Sequence, residues 1–119
     1  MTSILVVDDD PAVTNVLKLF LESSGYAVVT AQGFVAGKKA LESSLPDAIV
    51  LDLNMPDGLG LDLLSHLRVQ LQRKTPVLVL SGNRQESTVL RALEMGANDF
   101  VRKPFSPREV TARLRKLLP

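Results

Sequence analysis

The sequence predicts an α/β domain of three layers, a parallel sheet with helices on both faces. Three observations carry this. Five short apolar runs alternate with stretches of helical spacing, strand then helix, five times over. The runs at 4–7, 48–51 and 77–80 are continuously apolar, as in strands buried on both faces of a parallel sheet. The 119 residues are 45% hydrophobic and 23% charged with no cysteine, which suits one domain, residues 1–119, built without disulfides.

The elements follow in order. The first strand covers 4–7. Asp10 is a good N-cap for the first helix and Pro11 a good first helical residue, its missing N–H costing nothing there. Val13, Val16, Leu17, Phe20 and Leu21 form the apolar stripe, and Gly25 suits the stop. The second strand is 27–29, and a weaker helix spans 34–45, ended by Pro46. The third strand, 48–51, leads to a helix with Leu61, Leu64, Leu67 and Leu71 on one side. The fourth strand, 77–80, precedes a helix starting near Asn83, with Glu86 three residues on, and stopping at Gly96. The fifth strand is 100–101. The last helix opens with Ser106-Pro107-Arg108-Glu109, a capping box, and carries Val110, Leu114 and Leu117 inward.

In such sheets the site lies beyond the carboxyl ends of the strands. Strand one ends in Asp8-Asp9-Asp10, strand three in Asp52, strand four in Ser81-Gly82 and strand five in Lys103-Pro104; strand two ends in a bland Thr30-Ala31. Singly, each reads as a cap, a turn or a surface charge. Together they converge on one sheet edge. If strands one and three are neighbours, Asp8, Asp9 and Asp52 crowd together, and crowded carboxylates need compensation. A hard divalent cation such as Mg²⁺ supplies it. Lys103 adds a point cation suited to a phosphate oxygen and Ser81 a hydroxyl. That set suits phosphoryl transfer onto Asp52 as an in-line nucleophile.

The chain resembles, nearly end to end, the receiver domains of bacterial two-component response regulators. The residues that carry the likeness are Ile4-Leu5-Val6-Val7-Asp8-Asp9-Asp10, Asp52-Leu53-Asn54-Met55-Pro56-Asp57-Gly58, Val79-Leu80-Ser81-Gly82, Gly96-Ala97-Asn98-Asp99-Phe100 and Lys103-Pro104-Phe105. The resemblance implies a flavodoxin-like (βα)₅ sandwich with strand order 2-1-3-4-5. It implies that Asp52 accepts a phosphoryl group from a sensor histidine kinase or a phosphotransfer protein. It also implies Mg²⁺ ligation by Asp9, by Asp8 mainly through water, by Asp52 and by the Asn54 backbone carbonyl. Lys103 would contact the phosphoryl group, with a cis peptide to Pro104; Ser81 would swing in to bond it, and Phe100 would move inward behind. Ser81 stands where threonine is more usual and Phe100 where tyrosine is frequent, so the hydroxyl at 81 is kept and the one at 100 is not.

The last third resembles the receivers of winged-helix transcription factors, in Arg91-Ala92-Leu93-Glu94-Met95-Gly96-Ala97-Asn98-Asp99 and in the stretch from Phe105 to Arg113. That subfamily dimerises through its fourth helix, fifth strand and fifth helix with cross-subunit ion pairs, which makes Asp99, Glu109 and Arg113 the candidate dimer face. Val89 stands where a basic partner for Glu109 is expected, and Asn98 replaces a frequent aspartate.

Other functions fit less well. Residues 1–62 hold nine Asp/Glu and three Lys/Arg, net −6; residues 63–119 hold four and eleven, net +7. The basic residues of the second half are dispersed among leucines, with Tyr26 and four Phe as the only aromatics of the chain, so direct nucleic-acid binding is not expected. A phosphatase with an aspartate nucleophile usually has a second acid two residues on as general acid, and that residue is Asn54. A receiver-like module that works without phosphorylation usually lacks an acid or the lysine, and all are present. No Gly-rich phosphate loop follows strand one. The lone His66 reads as a half-buried helix residue. The N-terminus has no signal-peptide pattern, and no apolar run approaches the ~20 residues of a membrane helix. The sequence therefore points to a cytoplasmic switch that takes and slowly loses a phosphoryl group, and not to an enzyme acting on a separate substrate. The resemblance makes it either a stand-alone receiver or the N-terminal regulatory domain of a response regulator, with a transcription regulator favoured.

Overall fold

The structure, a computed structural model, describes residues 1–82 and 86–119. Its main sheet holds β1 (Ser3–Val7), β2 (Ala27–Ala31), β3 (Ala48–Asp52), β6 (Val77–Ser81) and β7 (Asp99–Arg102), all parallel, in the order β2-β1-β3-β6-β7. A short antiparallel hairpin, β4 (Asn54–Met55) and β5 (Gly58–Leu59), follows β3 and was not foreseen. With that hairpin set aside, the order is the expected 2-1-3-4-5. The helices are α1 (Pro11–Ser23), α2 (Phe34–Ser43), α3 (Gly60–Ser65), α4 (Glu86–Glu94) and α5 (Pro107–Leu117). The expected start of α4 at Asn83 lies outside the described residues.

Burial explains the apolar runs. β3 and β6 are buried at every position, and β1 at all but its first. Alternate residues feed two cores. Leu5, Val7, Ile49, Leu51, Val77 and Val79 join Leu41, Leu63, Leu64, Leu67 and Ala92 on one face. Ile4, Val6, Val50, Leu78 and Leu80 join Leu17, Leu21, Val110 and Leu114 on the other. β2 is an edge strand, so Val29 remains 55% exposed.

Three local expectations need correction. In α1, Asp10 caps as expected, accepting from Ala12 N at 2.9 Å. The buried face, however, is Thr14, Leu17 and Leu21; Val16 and Phe20 sit on the exposed rim. Thr14 can be buried because its hydroxyl donates to the Pro11 carbonyl at 3.2 Å. In the third helix the α-helical pattern stops at Ser65, and His66–Gln70 form a π turn closed by Leu71 N donating to the His66 carbonyl at 2.9 Å. The leucine spacing could not reveal the extra residue. In α5, Ser106 occupies the N-cap, but the reciprocal capping-box side-chain bonds do not form. Glu109 is instead engaged by Arg113, one turn on, at 3.2 Å.

Two arginines fasten the α2, α3, α4 side at the far end of the helices. Arg68, in the π turn, donates to the Gly96 carbonyl at 2.8 Å, just past α4, and to the Arg73 carbonyl at 3.0 Å. Arg73 donates to the carbonyls of Leu41 and Ser44 at 2.8 and 3.0 Å, closing the end of α2. Orphan carbonyls at helix ends thus receive cationic donors. Burial holds the Arg68 guanidinium below its usual pKa.

Candidate functional site

The strand ends meet at the carboxyl edge of the sheet. β1 and β3 are hydrogen-bonded neighbours, so Asp8 and Asp9, just past Val7, come beside Asp52, the last residue of β3. One oxygen from each of these three carboxylates lies within 4.8 Å of the others. Asp8 is fully buried and Asp52 is 4% exposed, while Asp9 faces solvent. The Asp8 carboxylate accepts from Asp10 N at 2.9 Å, and Asp52 Oδ1 accepts from Asn54 N at 3.3 Å.

Lys103 follows β7 and crosses over the acids. Its ammonium is 2.8 Å from Asp8 Oδ2 and 3.5 Å from Asp52 Oδ1. Its backbone N–H donates to the Ser81 carbonyl at 2.7 Å, and the Lys103–Pro104 peptide is cis. Burial pulls the lysine pKa down, but the hydrogen bond to Asp8 and the charges of Asp52 and Asp8 outweigh it and hold Lys103 above its ordinary value. Asp52 moves the other way for an acid. Burial first, and the charge of Asp8 second, push it up to about 6, against the pull of Lys103.

Among the described residues one cation therefore faces three carboxylates, and the remaining negative charge is what a divalent ion would balance. The donor set is all oxygen, as Mg²⁺ requires. Ser81 supplies a further clue. It is 1% exposed, and its Oγ has no hydrogen-bond partner among the described residues. A buried hydroxyl without a partner is uncommon in a folded protein. Here it stands at the end of β6, the strand next to that of Asp52. It can donate to an oxyanion bound at the acid cluster.

Phe100 lies in β7, half-buried, lining a small cavity with Glu86, Val89, Leu90, Leu93 and Arg102. Asn54 is placed by the β4–β5 hairpin, its N–H turned to Asp52. The candidate dimer residues are brought together, but within one chain: Arg113 spans Asp99, at 2.9 Å, and Glu109, at 3.2 Å. Val89, at the position of the missing cation, is buried. Asn98 serves the fold, its Oδ1 accepting from Val77 N at 2.9 Å and from Arg68 at 3.3 Å. His66 is half-buried as expected, its Nε2 3.2 Å from Glu42 Oε2 without hydrogen-bonding geometry.

Sequence reasoning missed the packing beneath the site. A Cβ on Gly60 would run into the carbonyl oxygen of Asp52 and lie 2.7 Å from Leu53 Cα. A Cβ on Gly58 would strike the ring of Phe34. The Asp57-Gly58 pair after strand three was the available signal.

Sheet order and strand-end chemistry together define a doubly wound α/β protein with a lysine-balanced acid cluster at its switch point. The family model of the response regulator receiver domain matches residues 4–115, and the chain belongs to that family. It is 42% identical over 115 residues to the transcriptional regulatory protein KdpE of Mycobacterium tuberculosis, covering 97% of this chain and 50% of that protein. It is 35% identical over 116 residues to the phosphate regulon transcriptional regulatory protein PhoB of Escherichia coli, covering 97% and 51%. The chain thus spans about half the length of these relatives. Among solved structures, the CheY-like receiver domain protein of Methanospirillum hungatei superposes with a TM-score of 0.92 at 26% identity, covering 98% of this chain and 93% of that one.

Proposed function

We propose that this domain is a phosphorylation switch whose modified residue is Asp52. The observation that supports this most is the convergence on one sheet edge of three carboxylates, Lys103 and the Ser81 hydroxyl, which has no partner among the described residues. Mg²⁺ would be held by Asp8, Asp9, Asp52 and the Asn54 carbonyl, and when bound it supplies charge neutralisation to the transferring group. The chain's own residues do the rest. An Asp52 carboxylate oxygen forms the new O–P bond as the P–N bond of a phosphohistidine breaks, and the released imidazole retains the electron pair and takes up a proton from water. Lys103 shares its ammonium between Asp8 and the arriving phosphoryl oxygens, and the Ser81 hydroxyl donates a hydrogen bond to them. Phe100, beside the cavity on the face of α4 and β7, gives the change a route to the surface.

The donor in this reading is a sensor histidine kinase or phosphotransfer protein. The chain is then the cytoplasmic regulatory part of a transcription regulator, as its relatives suggest. It is not an enzyme with a separate substrate, since Asn54 offers no general acid at the second position after Asp52. No helix among the described residues is long and apolar enough to cross a membrane. Self-association through α4, β7 and α5 would meet the Arg113 fork, whose surface pairs contribute at most about 1 kcal/mol each.

The test is direct. With Mg²⁺ and a small-molecule phosphodonor, the wild-type chain gains one phosphate, labile to hydroxylamine, and Asp52→Asn gains none. Equal labelling of the two proteins sinks the assignment.

A further inference from the structure

The first turn of α2 is capped from outside its own segment. Its N-cap is Gly33, at φ 106, which has no side chain to offer, and the turn carries no acidic residue. The cap comes from 23 residues away. Asp57 Oδ1 accepts from Phe34 N at 2.8 Å and Asp57 Oδ2 from Val35 N at 3.1 Å. A Cβ at position 33 would sit 3.1 Å from both of these oxygens, so the glycine leaves them room. Asp57 is at the same time the second residue of the two-residue turn joining β4 to β5. The base of that hairpin is fixed to the phosphoacceptor strand: Asn54 N donates to Asp52, Gly60 N donates to the Leu53 carbonyl at 2.9 Å, and Gly60 packs against the Asp52 carbonyl with no room for a side chain. Phe34, the first residue of α2, lies over Gly58. The hairpin is therefore held at its base by the acid site and at its tip by α2.

We infer that Asp57 is a positioning residue: by bonding the first turn of α2 it holds the β4–β5 hairpin, and with it the Asn54 carbonyl, where a divalent cation at Asp8, Asp9 and Asp52 can use it. This rests on the metal reading given above. Groups that orient metal ligands from behind affect affinity strongly, by about tenfold at the low end. A capping pair that only stabilised α2 would not.

Mg²⁺ affinity by calorimetry separates the two roles. Asp57→Ala raises the Mg²⁺ Kd roughly tenfold, and Asp57→Asn, which keeps an oxygen for the Phe34 N–H, falls between it and wild type. Phosphorylation by a small-molecule donor slows in Asp57→Ala at low Mg²⁺ and returns to the wild-type rate at saturating Mg²⁺. Amide exchange at Phe34 and Val35, measured without metal, accelerates in Asp57→Ala. Asp47→Ala is the control for lost stability, because Asp47 accepts from Ser3 N at 2.8 Å at the opposite edge of the sheet; it leaves the Mg²⁺ Kd unchanged. If Asp57→Ala binds Mg²⁺ as wild type does, or if its Phe34 and Val35 amides stay protected, the positioning role is wrong while the site itself stands. If the wild-type chain binds no Mg²⁺, the metal reading falls and takes this inference with it.

Discussion

Asp52 and Asp57 are both aspartates near the end of β3, and their environments push them in opposite directions. Asp52 is raised to about 6 by burial and by Asp8. Asp57, exposed, is lowered chiefly by the amides of Phe34 and Val35. The signs give opposite pH behaviour. For Asp52 the folded pKa lies above the unfolded value of 3.8, so the native state holds its proton longer and loses relative stability as pH rises from about 4 to about 6. The full loss is on the order of 3 kcal/mol without metal. Urea midpoints across this range fall more steeply for wild type than for Asp52→Asn, and Mg²⁺ narrows the difference; parallel curves would refute the raised pKa. For Asp57 the contribution is present above its unfolded pKa and disappears as pH falls through the depressed one. Asp52 was legible in the sequence because it ends a continuous apolar strand, as do Asp8, Ser81 and Lys103 their own strands. The role of Asp57 was not, because it depends on a contact 23 residues away.

The elements show the same division. Strands and most helix ends follow from local chemistry: Pro11 after Asp10 starts α1, and apolar runs make buried strands. What local chemistry missed was decided by tertiary partners. Arg68 reaches across to the end of α4, and the third helix adopts a π turn there. Glu109 turns to Arg113 and leaves the capping box unmade. The β4–β5 hairpin exists because Gly58 and Gly60 let it lie flat on Phe34 and on the backbone of β3. Gly60→Ala should therefore cost at least about 2 kcal/mol, since backbone atoms, not a flexible side chain, meet the new methyl group. Gly25→Ala, where no atom lies within 4 Å, should cost only the ~1–2 kcal/mol of a left-handed residue, φ being 95. Thermal melts of the two variants test this, and equal losses would show that the close approach at Gly60 is relieved elsewhere.

At the scale of the whole molecule, a parallel sheet with both helical layers was readable from alternation alone, and the sheet order came from the resemblance to receiver domains. The division of the interior was not, because continuous apolar strands carry no mark of which residue faces which side. The sheet is a partition. Ile4 and Ile49 sit on neighbouring strands within one register step of each other, yet Ile4 belongs to the core with α1 and α5 and Ile49 to the core with α2, α3 and α4. Leu5, by contrast, is the register partner of Ile49 and shares its core. In thermodynamic terms the two interiors are separate accounts of strain. Ile4→Val and Ile49→Val should each cost about 1 kcal/mol and sum to within about 0.5 kcal/mol in the double variant. Leu5→Ala and Ile49→Val should not sum, because one residue's void is the other's room to relax. A double-mutant cycle that couples Ile4 to Ile49 as strongly as Leu5 to Ile49 would mean that disturbance passes through the sheet as readily as along it.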